Sequence, residues 1–210
     1  MEVAVTEWNA DLLARWFLAT FFCVVGAFYI ARINLLARKL DRPVTYKGEP
    51  GSLHWATHQT FRIFRALIFV ICLARVPYPA LDAWLVPMVP LWHGPVFIAG
   101  CLTLLASFGG IVAVNLYLKQ EWRSGSRPGK PGKLITTGPY AWSQNPMMSL
   151  VMLGQLGFFL AMPSLFTLVC LLVGCWAVVA QVGVERSQLE SRFGEEYLQY
   201  SAQTPSWLLR

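Results

Sequence analysis

Charge is what this 210-residue chain has least of: 17 Lys and Arg and 11 Asp and Glu make only 13% of it, about half the usual share in a soluble domain. With 56% hydrophobic residues beside so few charges, the chain cannot be a disordered tail, nor can it cover a water-soluble globule with polar groups. Lipid must replace water over much of its surface. The chain opens Met-Glu-Val-Ala-Val-Thr-Glu-Trp, acidic where a cleaved signal peptide is positive, so this opening is not expected to be a cleaved targeting segment. Metal and redox patterns are absent too. Cys23, Cys72, Cys101, Cys170 and Cys175 all fall in apolar runs with no CxxC, so they are expected to be buried small hydrophobes, and no metal site is expected. There is no internal repeat, and no G-x-G-x-x-G follows a strand-like segment. The net charge of +6 does not point to nucleic acid, because the basic residues gather in two loops flanked by apolar runs, as beside anionic headgroups.

What the chain does have is apolar runs, at 16–33, 61–76, 95–118, 147–162 and 164–184. They predict an all-α polytopic transmembrane bundle of about five spans, a single membrane domain over residues 1–210 with an amphipathic C-terminal helix. The polar stretch Arg38 to Gln59 reads as loop, punctuated by Asp41, Pro43, Lys47, Gly48, Glu49, Pro50 and Gly51. His54 and His58 near its end read as interfacial or hydrogen-bonded, since no third metal ligand accompanies them. The second run is interrupted or flanked by Arg62, Arg65 and Arg75, which can snorkel to the headgroups. The Pro- and Trp-rich segment that follows, to Pro95, suits an interfacial loop or short surface helix. The fourth and fifth runs are separated only by Pro163 and must form an antiparallel hairpin.

The loops alternate in charge. Residues 1–11 carry Glu2, Glu7 and Asp11 and no base, whereas 32–49 carry Arg32, Arg38, Lys39, Arg42 and Lys47. The 77–94 loop holds only Asp82, whereas 119–133 holds Lys119, Arg123, Arg127, Lys130 and Lys133. That alternation predicts an outside N-terminus and a cytoplasmic C-terminus, with a bacterial inner membrane as the expected host. Gly125 to Gly132 reads as a solvated loop.

The polar residues concentrate in 119–146 and 185–210, both on the cytoplasmic side. Asn145 suits an N-cap and Pro146 the first helical position, while Gly138-Pro139 marks a turn. Glu185 abuts an apolar run and must face water, a cation or a polar pocket. Gln181, Gln188 and Arg192 thicken its face, with Arg186 or Arg192 as possible counter-ions. The hairpin is expected to bring Asn145 and Glu185 to similar depth. Beyond Val184, Leu189, Phe193, Tyr197 and Tyr200 form one apolar stripe on a polar helix.

The ordered set Gly138-Pro139-Tyr140, Asn145-Pro146-Met147, Glu185, Leu189, Phe193-Gly194, Tyr197 and Tyr200 resembles the C-terminal half of the integral-membrane isoprenylcysteine carboxyl methyltransferases and phospholipid N-methyltransferases. The resemblance runs from Lys133 to Trp207, with Pro205 and Trp207 matching an aromatic and proline segment. It implies an enzyme that takes S-adenosylmethionine from the cytoplasm and a lipid or prenyl-like acceptor from the bilayer. The cofactor-binding residues it implies are Gly138, Pro139, Tyr140, Asn145, Pro146, Glu185, Gln188, Leu189 and Tyr197, and the catalytic ones are Glu185, Asn145 and Tyr140. An isoprenylcysteine carboxylate, a phospholipid amine and an apolar thiol are all open as acceptors. For an amine, Glu185 or a tyrosine, Tyr140 or Tyr197, is a candidate base. The chain departs from the pattern at Gln144, where a basic residue is usual, at Arg186 in place of a second glutamate, and at Met148. Those departures keep a catalytically silent scaffold of the same fold as the alternative.

Overall fold

A computed structural model describes residues 2–40, 49–119 and 133–208, with side chains in the first helix described over 11–39. The loop expectations for 41–48 and 120–132, and the charges of Glu2 and Glu7, lie outside the described residues. The helices are α1 (Glu2–Leu40), α2 (Leu53–Ala74), α3 (Leu81–Trp84), α4 (Gly94–Leu118), α5 (Pro146–Ala161), α6 (Leu165–Phe193) and α7 (Glu195–Gln203), with 3-10 turns at Val89–Leu91 and Gly138–Ala141. Four of them, α1, α2, α4 and α6, are long and apolar enough to cross a membrane. Their outward residues are apolar: Leu102, Leu116 and Leu172 are 62%, 60% and 62% exposed. In water such faces would drive aggregation; in lipid they cost nothing. This is an all-α, multi-pass membrane bundle.

Three boundaries differ from the sequence reading. First, α1 extends beyond 16–33 at both ends. Second, α2 starts at Leu53 rather than near residue 61, so His54 and His58 lie on a helix instead of closing a loop. Ser52 starts it by accepting the Trp55 backbone N–H at 3.1 Å, one of the orphan donors of a helix N-terminus. Third, α6 runs nine residues past Val184 as one helix and breaks at Gly194, so the apolar stripe expected after Val184 is divided between two elements. The cysteine expectation holds for Cys72 and Cys170, which are buried, whereas Cys23 is exposed on α1.

The long helices alternate in direction. Gln155 of α5 meets Gly174 of α6, and Gly100 of α4 meets Ala161 of α5, as antiparallel neighbours must. The α5–α6 turn is the expected hairpin, closed by a capping box in which the Ser164 side chain and Thr167 satisfy each other's backbone N–H groups. The 77–94 segment pairs with this turn: Met88 N–H donates to Pro163 O at 2.9 Å and Leu165 N–H to Val86 O at 3.0 Å. At this same end Asp82 accepts from Arg15 at 2.8 Å and from the buried Arg75, while Trp92 Nε1 donates to Asp11 at 3.0 Å.

The most extensive helix contact is between α4 and α5, and small residues set its spacing. A Cβ on Gly100 would lie 2.3 Å from the Ala161 backbone nitrogen, and one on Gly157 would lie 2.8 Å from that of Leu104. Since backbone cannot swing aside as a side chain can, the Gly100→Ala protein is expected to lose about 1–3 kcal/mol through overpacking. Thermal unfolding in detergent checks this; an unchanged melting temperature would mean that α4 and α5 part without cost. On the inward side, Leu18, Phe21, Cys72, Leu104, Phe158, Ala161 and Met162 form the core, and Phe22 meets Phe158 edge-on at 5.2 Å.

Candidate functional site

At the end of the bundle away from Asp82, α1, α4 and α6 finish while α2 and α5 begin. The Gly138–Ala141 turn sits here against α4. Gly138 has φ of +60°, and a Cβ on it would fall 2.4 Å from the Tyr117 ring, so only glycine fits. The Tyr117 hydroxyl lies 2.7 Å from Thr137 Oγ1, which pins the approach to the turn.

From the turn to α5 the chain is held by the C-terminal segment. Gln144 is the hub: its N–H donates to Pro205 O at 2.9 Å, its Nε2 to Thr204 O at 2.6 Å and Ser201 O at 3.3 Å, and its Oε1 accepts from Tyr197 at 3.0 Å. The position that looked like a departure from a family pattern therefore ties α7 to the start of α5. The Tyr200 hydroxyl donates to Tyr140 O at 2.6 Å. Asn145 does not act as the expected side-chain cap of α5. Its Nδ2 donates to Ser206 O at 3.0 Å instead, because the C-terminal segment crosses there and offers a carbonyl. Pro146 takes the first helical position, as expected.

Burial pushes the Tyr140 hydroxyl well above the ordinary phenol range, and the Glu185 carboxylate and Tyr200 push it the same way. Tyr197 is raised mainly by burial. Tyr200 is pushed up to about 12 by burial and then by Tyr197. An unfolded tyrosine titrates near 10, so the folded protein prefers the protonated phenol. That preference is complete below about pH 10 and is lost as pH climbs to about 12. The C-terminal segment is therefore expected to become protease-sensitive between about pH 10 and 12, and Tyr200→Phe should remove that step. A step that persists in the variant would assign it elsewhere.

Glu185 sits half-buried on α6. Gln181, one turn earlier, donates to its Oε1 at 3.1 Å and accepts from Thr57 of α2 at 2.9 Å. The His54 Nδ1 lies 3.2 Å from the same Gln181 oxygen. A polar chain thus runs from α2 through Gln181 to Glu185. Arg186, considered as a counter-ion for Glu185, is paired with Glu190 at 2.8 Å. Inward of this chain lies a cavity of about 290 Å³, bounded by α1, α2, α4, α5 and α6. Its polar lining includes Tyr29, His58, Arg65, Gln181 and Glu185; its apolar lining includes Phe21, Leu104, Phe108 and Phe158. Met147 and Met148, in the first turn of α5, line it as well.

Of the residues singled out from sequence, Glu185 lines the cavity directly and Tyr140 lies within its electrostatic reach. Asn145, Pro146 and Tyr197 belong to the clamp beside it. Leu189 is half-buried, while Gln188 is exposed on the far turn of α6. Sequence reasoning missed Gln144 as a hub and the wall formed by α2. The latter had a signal: His54, His58, Phe61 and Arg65 recur at four, three and four, one helical face.

Neither the curated proteins nor the solved structures contain a significant match. Residues 95–196, which hold α4, the Gly138 turn, α5 and α6, match the phospholipid methyltransferase family. That segment, just under half of the chain, is what this protein shares with a family of membrane methyltransferases.

Proposed function

We propose that this chain methylates an amphiphile drawn from the bilayer, using S-adenosylmethionine bound at the Glu185 end of the cavity. The single observation that carries the reading is the cavity itself: it joins a half-buried carboxylate on α6 to an aromatic, apolar interior between the helices. Such a shape suits a polar cofactor on one side and a hydrocarbon chain on the other.

The residues present fit the cofactor. Its ammonium needs an anion, and Glu185 is a carboxylate at the cavity wall. Its carboxylate needs donors; the first-turn N–H groups of α5 at Met147 and Met148 have no side-chain cap and point out of a helix N-terminus. When bound, the cofactor supplies an electrophilic methyl carbon, which passes to a lone pair of the acceptor as its bond to sulfur breaks. Gln181 orients Glu185. Gly138 and Pro139 shape the neighbouring turn, and Tyr140, held protonated, donates a hydrogen bond rather than serving as a base. Asn145, Gln144 and Tyr197 hold the C-terminal segment against the start of α5 beside the cavity, which fixes the first turn of α5 where the two reactants are to meet. Gln188 and Leu189 extend the same helix beyond the opening.

We count α5 as a fifth span. Its 16 residues reach only about 24 Å, short of the roughly 30 Å hydrocarbon core, yet it is packed between α4 and α6 rather than facing lipid alone. The site end carries Arg38, Lys39, Lys119 and Lys133, whereas Arg15 and Arg75 at the other end are both bound to Asp82. The positive-inside pattern makes the site end cytoplasmic, where the cofactor is available.

Incubation of the purified chain in nanodiscs with methyl-labelled cofactor and, separately, membrane phospholipids, prenylcysteine analogues and small thiols identifies the acceptor. Label in one amphiphile pool is the expected result. Label in none of the three, with cofactor binding intact, would remove the acceptor assignment and favour the silent scaffold.

A further inference from the structure

The family match begins at residue 95, so the wall of the cavity built by α1 and α2 lies outside it, and that wall carries a cation. Arg65 lies near the middle of α2, inside a helix with an apolar window long enough to cross a membrane. A guanidinium at such a position is costly and commonly marks a ligand or ion path; Arg65 is exposed on α2. Arg65 lines the cavity, whereas Arg62, three residues earlier, is not among the lining residues.

Among the described residues Arg65 takes part in none of the ion pairs. Its Nε donates to the Phe61 carbonyl of its own helix at 3.3 Å, and its guanidinium carbon lies 5.6 Å from the Phe61 ring centroid. The side chain therefore folds back one turn toward the start of α2, within electrostatic reach of His58. Of the five N–H donors of a guanidinium, only Nε is engaged among the described residues; the terminal fork remains for a partner. Tyr29, across the cavity on α1, is close enough to Arg65 for the two to interact electrostatically. Outward of this group the lining turns apolar, with Phe22, Ile68, Phe108 and Phe158.

We propose that Arg65, flanked by Tyr29 and His58, receives an oxyanion carried by the acceptor, a carboxylate or a phosphodiester, with the acceptor's hydrocarbon chain in the aromatic part of the cavity. This rests on the methyltransferase reading and sharpens its substrate class. The planar fork matches either oxyanion in a bidentate way. Neutral amphiphiles of equal length would fill the apolar part and leave the fork unanswered.

The test uses the full chain in nanodiscs and three probes of one chain length: an 18-carbon carboxylate, an alkyl phosphodiester and the matching neutral alcohol. Their affinities are read from tryptophan fluorescence, with S-adenosylmethionine affinity measured in parallel. Wild type is expected to bind at least one anionic probe about tenfold or more tightly than the alcohol. Arg65→Gln should abolish the preference while cofactor affinity stays unchanged, and Arg62→Gln should alter neither. A preference for the carboxylate alone or for the phosphodiester alone names the acceptor's anion. Should Arg65→Gln fail to fold, Arg65→Lys keeps the charge without the fork and should weaken the preference. Equal affinity of wild type for all three probes, or a preference that survives Arg65→Gln, overturns the proposal. Absence of saturable cofactor binding in wild type would instead overturn the methyltransferase reading, so the two failures are distinct.

Discussion

Glu185→Ala is expected to weaken S-adenosylmethionine binding by roughly 10- to 150-fold, the value of a hydrogen bond to a charged group at about 1.5–3 kcal/mol. The carboxylate lines the cavity and is oriented by Gln181 at 3.1 Å, and its removal takes away the negative charge proposed to answer the cofactor's ammonium. Glu185→Gln separates two ways of holding the cofactor. If the partner is the ammonium, the amide loses nearly as much affinity as alanine does. If the partner is a ribose hydroxyl, the amide oxygen keeps most of it. Titration calorimetry of both variants, with a melting curve to show that each is folded, checks the prediction. Unchanged affinity in Glu185→Ala would take Glu185 out of the site.

The second large effect lies at the opposite end of the molecule and concerns folding alone. Asp82 is the shared partner of Arg15 and Arg75, and Arg75 is only 1% exposed. Asp82→Ala leaves two neighbouring guanidinium groups with no carboxylate between them, one of them out of reach of solvent. Breaking a buried pair from one side costs about 3–5 kcal/mol, because the surviving charge is uncompensated. The variant should therefore melt much earlier in detergent. Cofactor affinity below its melting point should be unchanged, since α3 and the site are at opposite ends of the helices. A loss of under about 1 kcal/mol would mean that water or headgroups replace the carboxylate.

The sequence was most legible where a helix ends in something that cannot continue it. Pro95 in the first turn and Lys119 just after the last delimit α4, and Pro163 forces the α5–α6 hairpin. It was least legible where polar residues are answered by another helix. The seven residues from Leu53 to Gln59 read as the end of a polar loop, yet His54 and Thr57 among them meet Gln181 across the bundle. Likewise Glu185 and Arg186 looked like the end of a span, but neither breaks helical geometry; only Gly194 does. In the site, Glu185 stood out because a carboxylate beside an apolar run needs a reason. Gln144 did not, since its partners Tyr197, Thr204 and Pro205 lie more than fifty positions away in the chain. Asn145 was legible as the N-cap position of α5, but its side chain does not cap the helix, because the carbonyl of Ser206 that claims its amide arrives from the other end of the sequence.

The central claim is that the bundle holds S-adenosylmethionine at the Glu185 end of a cavity shared with the acceptor. Calorimetric titration of the purified chain in nanodiscs with the cofactor tests it most directly. The account predicts saturable binding at one cofactor per chain that Glu185→Ala weakens; heats that never saturate in a folded protein would contradict it.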